Sequence, residues 1–484
     1  MNWPVLAPLL IFLLIIFAVG FWANQYVIKT QSFVQEYFLG KRQLGGFILA
    51  MTMVATYGSA SSFIGGPGVA YTQGLGWVLL SMAQLSTGYF VLMVLGKKFA
   101  IMARKYEAVT LIDFLKSRYQ SDAVVILAAA SIIIFLFSSM TAQWIGGARL
   151  VESLTGLSYT ASLLIFAASV TLFVVVGGFR AVAVTDAVQG TVMFLGTLIL
   201  LVATIKAGGG MEPIMHKLAA EDPDLITPFG HGHSLSPAYV SSFWILVGIG
   251  VVGLPQITVR AMSYKDSRAM HRAIIIGTIV IGFIMFGMHF IGVMARAVMP
   301  GVKVPDTVMP LLTMKVLPPV PAGIVLAAPM AAIMSTVDAL LILVGSALVK
   351  DLYLNYVKPN ASEKQMKAAS FSVTAAIAVI VVLLSLSPPK LIIWLNLFSF
   401  GGLESVFIWP VIFGLYWNKG NKYGAVCSMI LGMGSYILLD RLHPNPFGLH
   451  TVVLPVLISC AGFIAASLLF GRKRAAIRAE RDGA

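Results

Sequence analysis

The chain alternates long apolar runs with short polar stretches that carry most of its charge. A membrane-crossing helix needs about 20 mainly apolar residues. By that measure the pattern predicts thirteen spans, at roughly 4–22, 45–66, 74–96, 122–144, 158–176, 184–206, 239–259, 273–295, 321–349, 370–386, 390–416, 423–439 and 450–470. No soluble domain fits between them, since the longest polar stretch is 207–238. Two spans are irregular. MTMVATYGSASSFIGGPGVAY at 51–71 holds Gly58, Gly65, Gly66, Pro67 and Gly68, with Ser59, Ser61 and Ser62 between. SSFWILVGIGVVGLPQITVR at 241–260 holds Gly248, Gly250, Gly253 and Pro255. Glycine frees the backbone and proline removes a donor, so both helices are expected to break. The expected hinges are Gly65, Gly66 and Pro67 in one and Gly253 and Pro255 in the other.

Broken backbone at membrane depth leaves polar groups unpaired. It is tolerated only where it lines a cavity or is buried in protein. Numbered from the second span as core helices 1 to 10, the interrupted ones are core helices 1 and 6, the first of each set of five. Glycine also serves close packing between membrane helices. Interruptions at matching positions of two halves, however, mark the binding site of a transporter built from inverted repeats. The predicted organisation is a flanking helix and cytoplasmic loop (1–44), a first five-helix repeat (45–207), an extracellular loop (208–238), a second repeat (239–417), and two C-terminal helices with a basic tail (418–484).

Composition fits that pattern. Of 484 residues, 58% are hydrophobic and 11% charged, and the mean hydropathy is +0.91. Soluble domains carry roughly a quarter charged residues. The chain is therefore read as an all-α polytopic membrane protein. A net charge of +14 would also suit a nucleic-acid partner. Its distribution gives another account. With the C-terminus inside, the inner segments hold 25 of the 33 Lys and Arg residues, as the positive-inside rule requires. The expectation is an inner-membrane protein with its N-terminus outside and no nucleic-acid partner. The first apolar run lacks a preceding basic residue and a cleavage site, so it is read as a retained helix. The tail Arg472–Arg481 anchors this topology or meets anionic lipid.

Enzyme chemistry finds little support. Cys427 and Cys460 lie in apolar runs and read as small core residues. His231 and His233 in the outer loop lack an evident third ligand for a metal. No nucleophile elbow or phosphate loop occurs.

Core helix 8 carries the remaining signal. Ala332, Ser335 and Thr336 stand at i, i+3 and i+4 and share a face. Two hydroxyls and a carbonyl suit a small hard cation, although Ser and Thr also bond their own helix's carbonyls. Asp338 and Glu404 are carboxylates within spans, each costing about 2.5–3.5 kcal/mol on insertion scales. Asp338, one turn past Ser335, either lends negative potential to an ion path or is a neutral structural carboxyl. Glu404 follows Gly401 and Gly402 and either contacts a solute or steadies a hinge. His289 in core helix 7 reads as a buried, satisfied histidine rather than a proton relay.

These residues resemble the sodium/solute symporter family over nearly the whole chain. The marks are FIGGPG (63–68), GGFRAVAVTD (177–186), MSTVDA (334–339) and KDLY (350–353). A narrower likeness rests on EYFLGKRQLGG (36–46), TYGSASSFIGGPG (56–68), GLPQITVRAMSYKDS (253–267), KVLPPVPAGIVLAAPMAAIMST (315–336) and IIWLNLFSFGGLE (392–404). It points to the branch whose solute is pantothenate. The resemblance implies sodium-coupled import by alternating access, with sodium as coupling ion and no other cofactor. A short carboxylate or an amino acid is the alternative solute, and a transporter-like sensor the alternative function. It implies a sodium site of the Ala55, Gly58 and Ala332 carbonyls with the Ser335 and Thr336 hydroxyls. Ser61, Ser62 and Gln84 match solute contacts of sugar-transporting relatives. Tyr57, standing where proline-transporting relatives carry an aspartate, and Glu404 complete the expected solute contacts. Asp186 matches an acidic position linked to ion passage, and with Asp338 forms the expected ion path.

Overall fold

The computed structural model describes residues 3–27 and 44–482, with backbone alone at 21, 23–27, 173–184, 363, 367 and 472–482. Lys29, Lys41 and Arg42 of the expected inner surface fall outside the described residues, as do the side chains of Arg180 and of the tail 472–481. The described residues are helical almost throughout and form no strand. One isolated bridge pairs Leu44 with Tyr264. Leu44 N–H donates to Ser263 O (3.1 Å) and Lys265 N–H to Leu44 O (3.2 Å), tying the start of core helix 1 to the end of core helix 6.

Among the described residues, ten helices are long and apolar enough to cross a membrane singly. Two more spans are bent pairs: Gly46–Tyr57 with Ser61–Gln73 at 67°, and Pro237–Gly253 with Pro255–Met262 at 53°. These are core helices 1 and 6, the two whose composition predicts interruption. Core helix 7 is Ser267–Val298, core helix 8 runs from Pro319 to Val357, and core helix 10 is Ile393–Tyr416.

The helix ends follow local chemistry. Asp266 caps core helix 7 by accepting from Ala269 N–H (2.8 Å), satisfying one of the amides a helix start leaves open. Pro319 sits in the first turn of core helix 8, where its missing N–H costs nothing. The first half of core helix 1 is buried from Leu49 to Tyr57. An apolar helix without a polar face is stable only when enclosed, and core helices 7 and 8 and the run Tyr159–Ala207 surround it.

One expectation changes. The spans at 158–176 and 184–206 lie on a single helical run, Tyr159–Ala207. The Gly177–Gly178 pair does not interrupt it, because glycine weakens a helix by about 1 kcal/mol without removing its hydrogen bonds. Within it, 185–207 is long and apolar enough to cross a membrane, and 159–172 is a shorter apolar stretch. The stretch 208–238, expected as loop, contains the short helix Met211–Glu221, held by buried Ile214 and Leu218. His231 pairs there with Asp222, and His233 with Asp224 (3.2 Å).

Candidate functional site

The break in core helix 1 lies at Gly58–Ala60, between Tyr57 and Ser61. Gly58 is extended (φ −64°, ψ 127°). The expected hinge at Gly65, Gly66 and Pro67 is therefore corrected. Gly65 and Gly66 have helical angles. Pro67 lies within the continuous helix Ser61–Gln73, just after its widened first turn Ser61–Gly65, and does not bend it. In core helix 6 the break falls at Leu254 (φ −84°, ψ 114°), between Gly253 and Pro255 as expected.

Several polar groups at the first break are answered by other helices. Ala60 N–H donates to Gln143 Oε1 (2.8 Å). Ser335 Oγ lies 2.8 Å from Ala55 O and 3.1 Å from Ala332 O. Thr336 Oγ1 lies 2.8 Å from Gly58 O and 2.9 Å from Ala332 O. The fold thus gathers three carbonyl and two hydroxyl oxygens from core helices 1 and 8 into one buried cluster. A hydroxyl carries one hydrogen and donates to one carbonyl at a time. Five oxygens share two hydrogens, so the cluster has surplus lone pairs and no negative charge of its own. That is donor chemistry for a small cation.

Beside the cluster is a second polar group. Asp186 Oδ2 accepts from Thr52 Oγ1 (2.5 Å) and faces Arg260 Nη2 (3.4 Å). Arg260 Nη2 also donates to Thr56 Oγ1 (2.9 Å). Arg260 is 2% exposed and paired inside the helix bundle. Asp338 is fully buried, and neither of its carboxylate oxygens has a hydrogen-bond partner.

On the other side of the break is a small cavity lined by Tyr57, Ser59, Ser61, Ser62, Trp77, Gln84, Phe243, His289, Asn396 and Phe400, among others. Tyr57 Oη lies 3.0 Å from Gln84 Oε1, which fixes both side chains at the wall. Four of the five expected solute contacts, Tyr57, Ser61, Ser62 and Gln84, therefore meet here. Glu404 does not. It is fully buried against the glycines of core helix 6, where a Cβ on Gly250 would come within 2.4 Å of its Oε2. Neither carboxylate oxygen of Glu404 has a partner. Core helix 10 turns Asn396 and Phe400 to the cavity instead, about two turns and one turn before Glu404.

Sequence reading missed Gln143, Asn396 and Arg260. A lone amide in an apolar span carries the membrane cost of a polar side chain, and that was the available signal for the first two. Arg260 lies in the second half of core helix 6, in QITVRAM, and was hidden by its nearness to the charged loop.

Comparison with known proteins agrees with this arrangement. The family model for the sodium:solute symporter family matches residues 37–432. The sodium/pantothenate symporter of Haemophilus influenzae is 49% identical over 476 residues, covering 98% of each chain. That of Escherichia coli is 49% identical over 466 residues, covering 96% of each. A Na⁺-coupled sialic acid symporter, solved substrate-bound in an outward-open state, shares the fold, with a TM-score of 0.77 at 18% identity over 97% of this chain and 98% of that one. The chain is a multi-pass membrane protein of transporter rather than enzyme type, and it belongs to the sodium:solute symporter family.

Proposed function

We propose that the chain imports pantothenate, driven by sodium entering with it. One observation carries this reading: a cluster of three carbonyl and two hydroxyl oxygens sits at the break of core helix 1, adjoining a cavity lined by polar side chains. Sodium is cargo as well as partner. Its ligands are the carbonyls of Ala55, Gly58 and Ala332 and the hydroxyls of Ser335 and Thr336. Two of them, Ala55 and Gly58, belong to the backbone that leads into Ser59, Ser61 and Ser62 of the cavity wall. Holding that backbone in one shape makes the cavity competent, so each ligand raises the other's affinity by the same factor.

Asp186 and Asp338 supply negative potential along the route on which the ion leaves, with Arg260 as the counter-charge. Rocking of the helix bundle about the bound site then exposes it to the other side. The protein sits in the inner membrane with its N-terminus outside and its C-terminus in the cytoplasm, following the placement of basic residues. The membrane potential supplies about 2.3 kcal/mol per unit charge per 100 mV. Import of one pantothenate anion with one sodium is electrically neutral, so a net inward current requires a second ion.

The test is uptake of labelled pantothenate by the purified protein in liposomes. Accumulation is expected with an inward sodium gradient and not when potassium replaces sodium. Equal uptake in both salts rejects the coupling. No uptake, with another carboxylate or an amino acid taken up instead, rejects the solute.

A further inference from the structure

His289 lies on core helix 7 and is 2% exposed, yet it borders the cavity. Its Nδ1 is 2.6 Å from Met285 O, one turn back on the same helix. A carbonyl can only accept, so Nδ1 carries a hydrogen, and in the neutral ring Nε2 is a bare acceptor. No hydrogen bond to Nε2 is found among the described residues. Its place is shaped by the broken helix: a Cβ on Gly66 would come within 2.2 Å of Nε2, so the ring fits only because position 66 is glycine. Nearby, Ser61 Oγ is buried with no partner. Across the cavity Asn396 Oδ1 is engaged by Ser139 Oγ (2.7 Å), which turns its NH₂ group into a free donor.

Among the polar groups of the cavity wall, His289 is a pure lone-pair acceptor and Asn396 a free donor. Pantothenate has two kinds of end. One is a carboxylate, which only accepts; the other bears hydroxyls, which donate. A carboxylate facing a bare imidazole nitrogen meets lone pair with lone pair, whereas a hydroxyl completes it. On the reading of the chain as a pantothenate importer, we infer that His289 determines specificity by accepting a hydrogen bond from a solute hydroxyl, with the carboxylate directed away from core helix 7. Fixed on one side by Met285 and on the other by Gly66, the ring also discriminates against solutes that lack that hydroxyl, because they leave Nε2 buried and unmatched.

The test uses the full chain in liposomes with a sodium gradient. Unlabelled pantothenate, and derivatives each lacking one hydroxyl, compete with labelled pantothenate. In the wild type one derivative is expected to compete roughly tenfold less well, the worth of one buried hydrogen bond. His289→Leu is expected to weaken pantothenate by the same factor and to leave that derivative unchanged. His289→Gln, which keeps an acceptor oxygen, is expected to recover part of the loss. If His289→Leu weakens pantothenate and every derivative equally, the residue only supports the wall and the inference is wrong. If His289→Leu cannot be recovered from membranes, the wild-type series still decides, since equal competition by all derivatives overturns it. Absence of any sodium-driven pantothenate uptake by the wild type is a different result: it removes the import reading, and this inference falls with it.

Discussion

The two broken helices differ in what meets them. At the break of core helix 1, hydroxyls of Ser335 and Thr336 and the amide oxygen of Gln143 reach the interrupted backbone. At the break of core helix 6, the facing side chain is Glu404, buried and without a hydrogen bond. The first break is a polar cluster beside a cavity. The second is a tight glycine contact with a carboxyl packed into it. Two interruptions that look alike in composition thus sit in different surroundings: one gathers carbonyl and hydroxyl oxygens, and the other lets two helices approach closely. Glycine is shared by both because it serves either purpose. The hydroxyl pair on core helix 8 is what separates them.

The contrast can be broken by removing those hydroxyls. Replacing both Ser335 and Thr336 by Ala is expected to weaken the apparent sodium affinity of uptake by about 100-fold or more, since each hydrogen bond to a charged group is worth about 1.5–3 kcal/mol. An unchanged sodium dependence would place the ion elsewhere. Gly250→Ala tests the other break. Its Cβ would lie 2.1 Å from Ile245 O, and overpacking of this kind costs about 1–3 kcal/mol. The expected result is a lower melting temperature in detergent, with sodium affinity altered far less than by the hydroxyl pair. Glu404→Gln keeps the shape and removes any charge. It should leave sodium affinity within about twofold and stability within about 1 kcal/mol. A large loss of sodium dependence would mean that core helix 6 also serves the ion.

The smallest effect concerns the loop between core helices 7 and 8, outside the spans. Asp306 is 2% exposed, and its Oδ2 accepts from Ile392 N–H (3.1 Å) at the start of core helix 10. Burial pushes its carboxyl up to about 7, against the pull of the Ile392 bond and of Arg149. A free carboxyl titrates near 4. The packed loop therefore binds the proton more tightly than the open loop, and packing is favoured at low pH. That contribution is lost as pH rises from about 4 to about 7. Thermal stability of the wild type should fall over this range relative to Asp306→Asn, and parallel curves would show that Asp306 does not couple loop packing to pH.

Several of these features were legible in the sequence. Spacing alone put Ser335 and Thr336 on one helical face, and composition alone marked core helices 1 and 6 as interrupted. The hinge in core helix 1 was misplaced because Gly65, Gly66 and Pro67 make the denser signal. Propensity does not say whether a glycine bends the chain or fits under a neighbour. Gly66 fits under His289, and the bend is taken by Gly58, whose carbonyl has a hydroxyl waiting for it. Glu404 was misassigned for a related reason. A carboxylate in a span signals that something unusual surrounds it, but which neighbour it faces depends on helix rotation.

By itself the sequence determined that the chain lives in a bilayer and where its helices interrupt, because apolar length and loss of backbone donors are local properties. Only the tertiary structure decided which oxygens converge, that Glu404 packs away from the cavity and which nitrogen of His289 is left open. Those depend on how helices far apart in the chain rotate and cross, and no local pattern encodes a contact between residue 55 and residue 335.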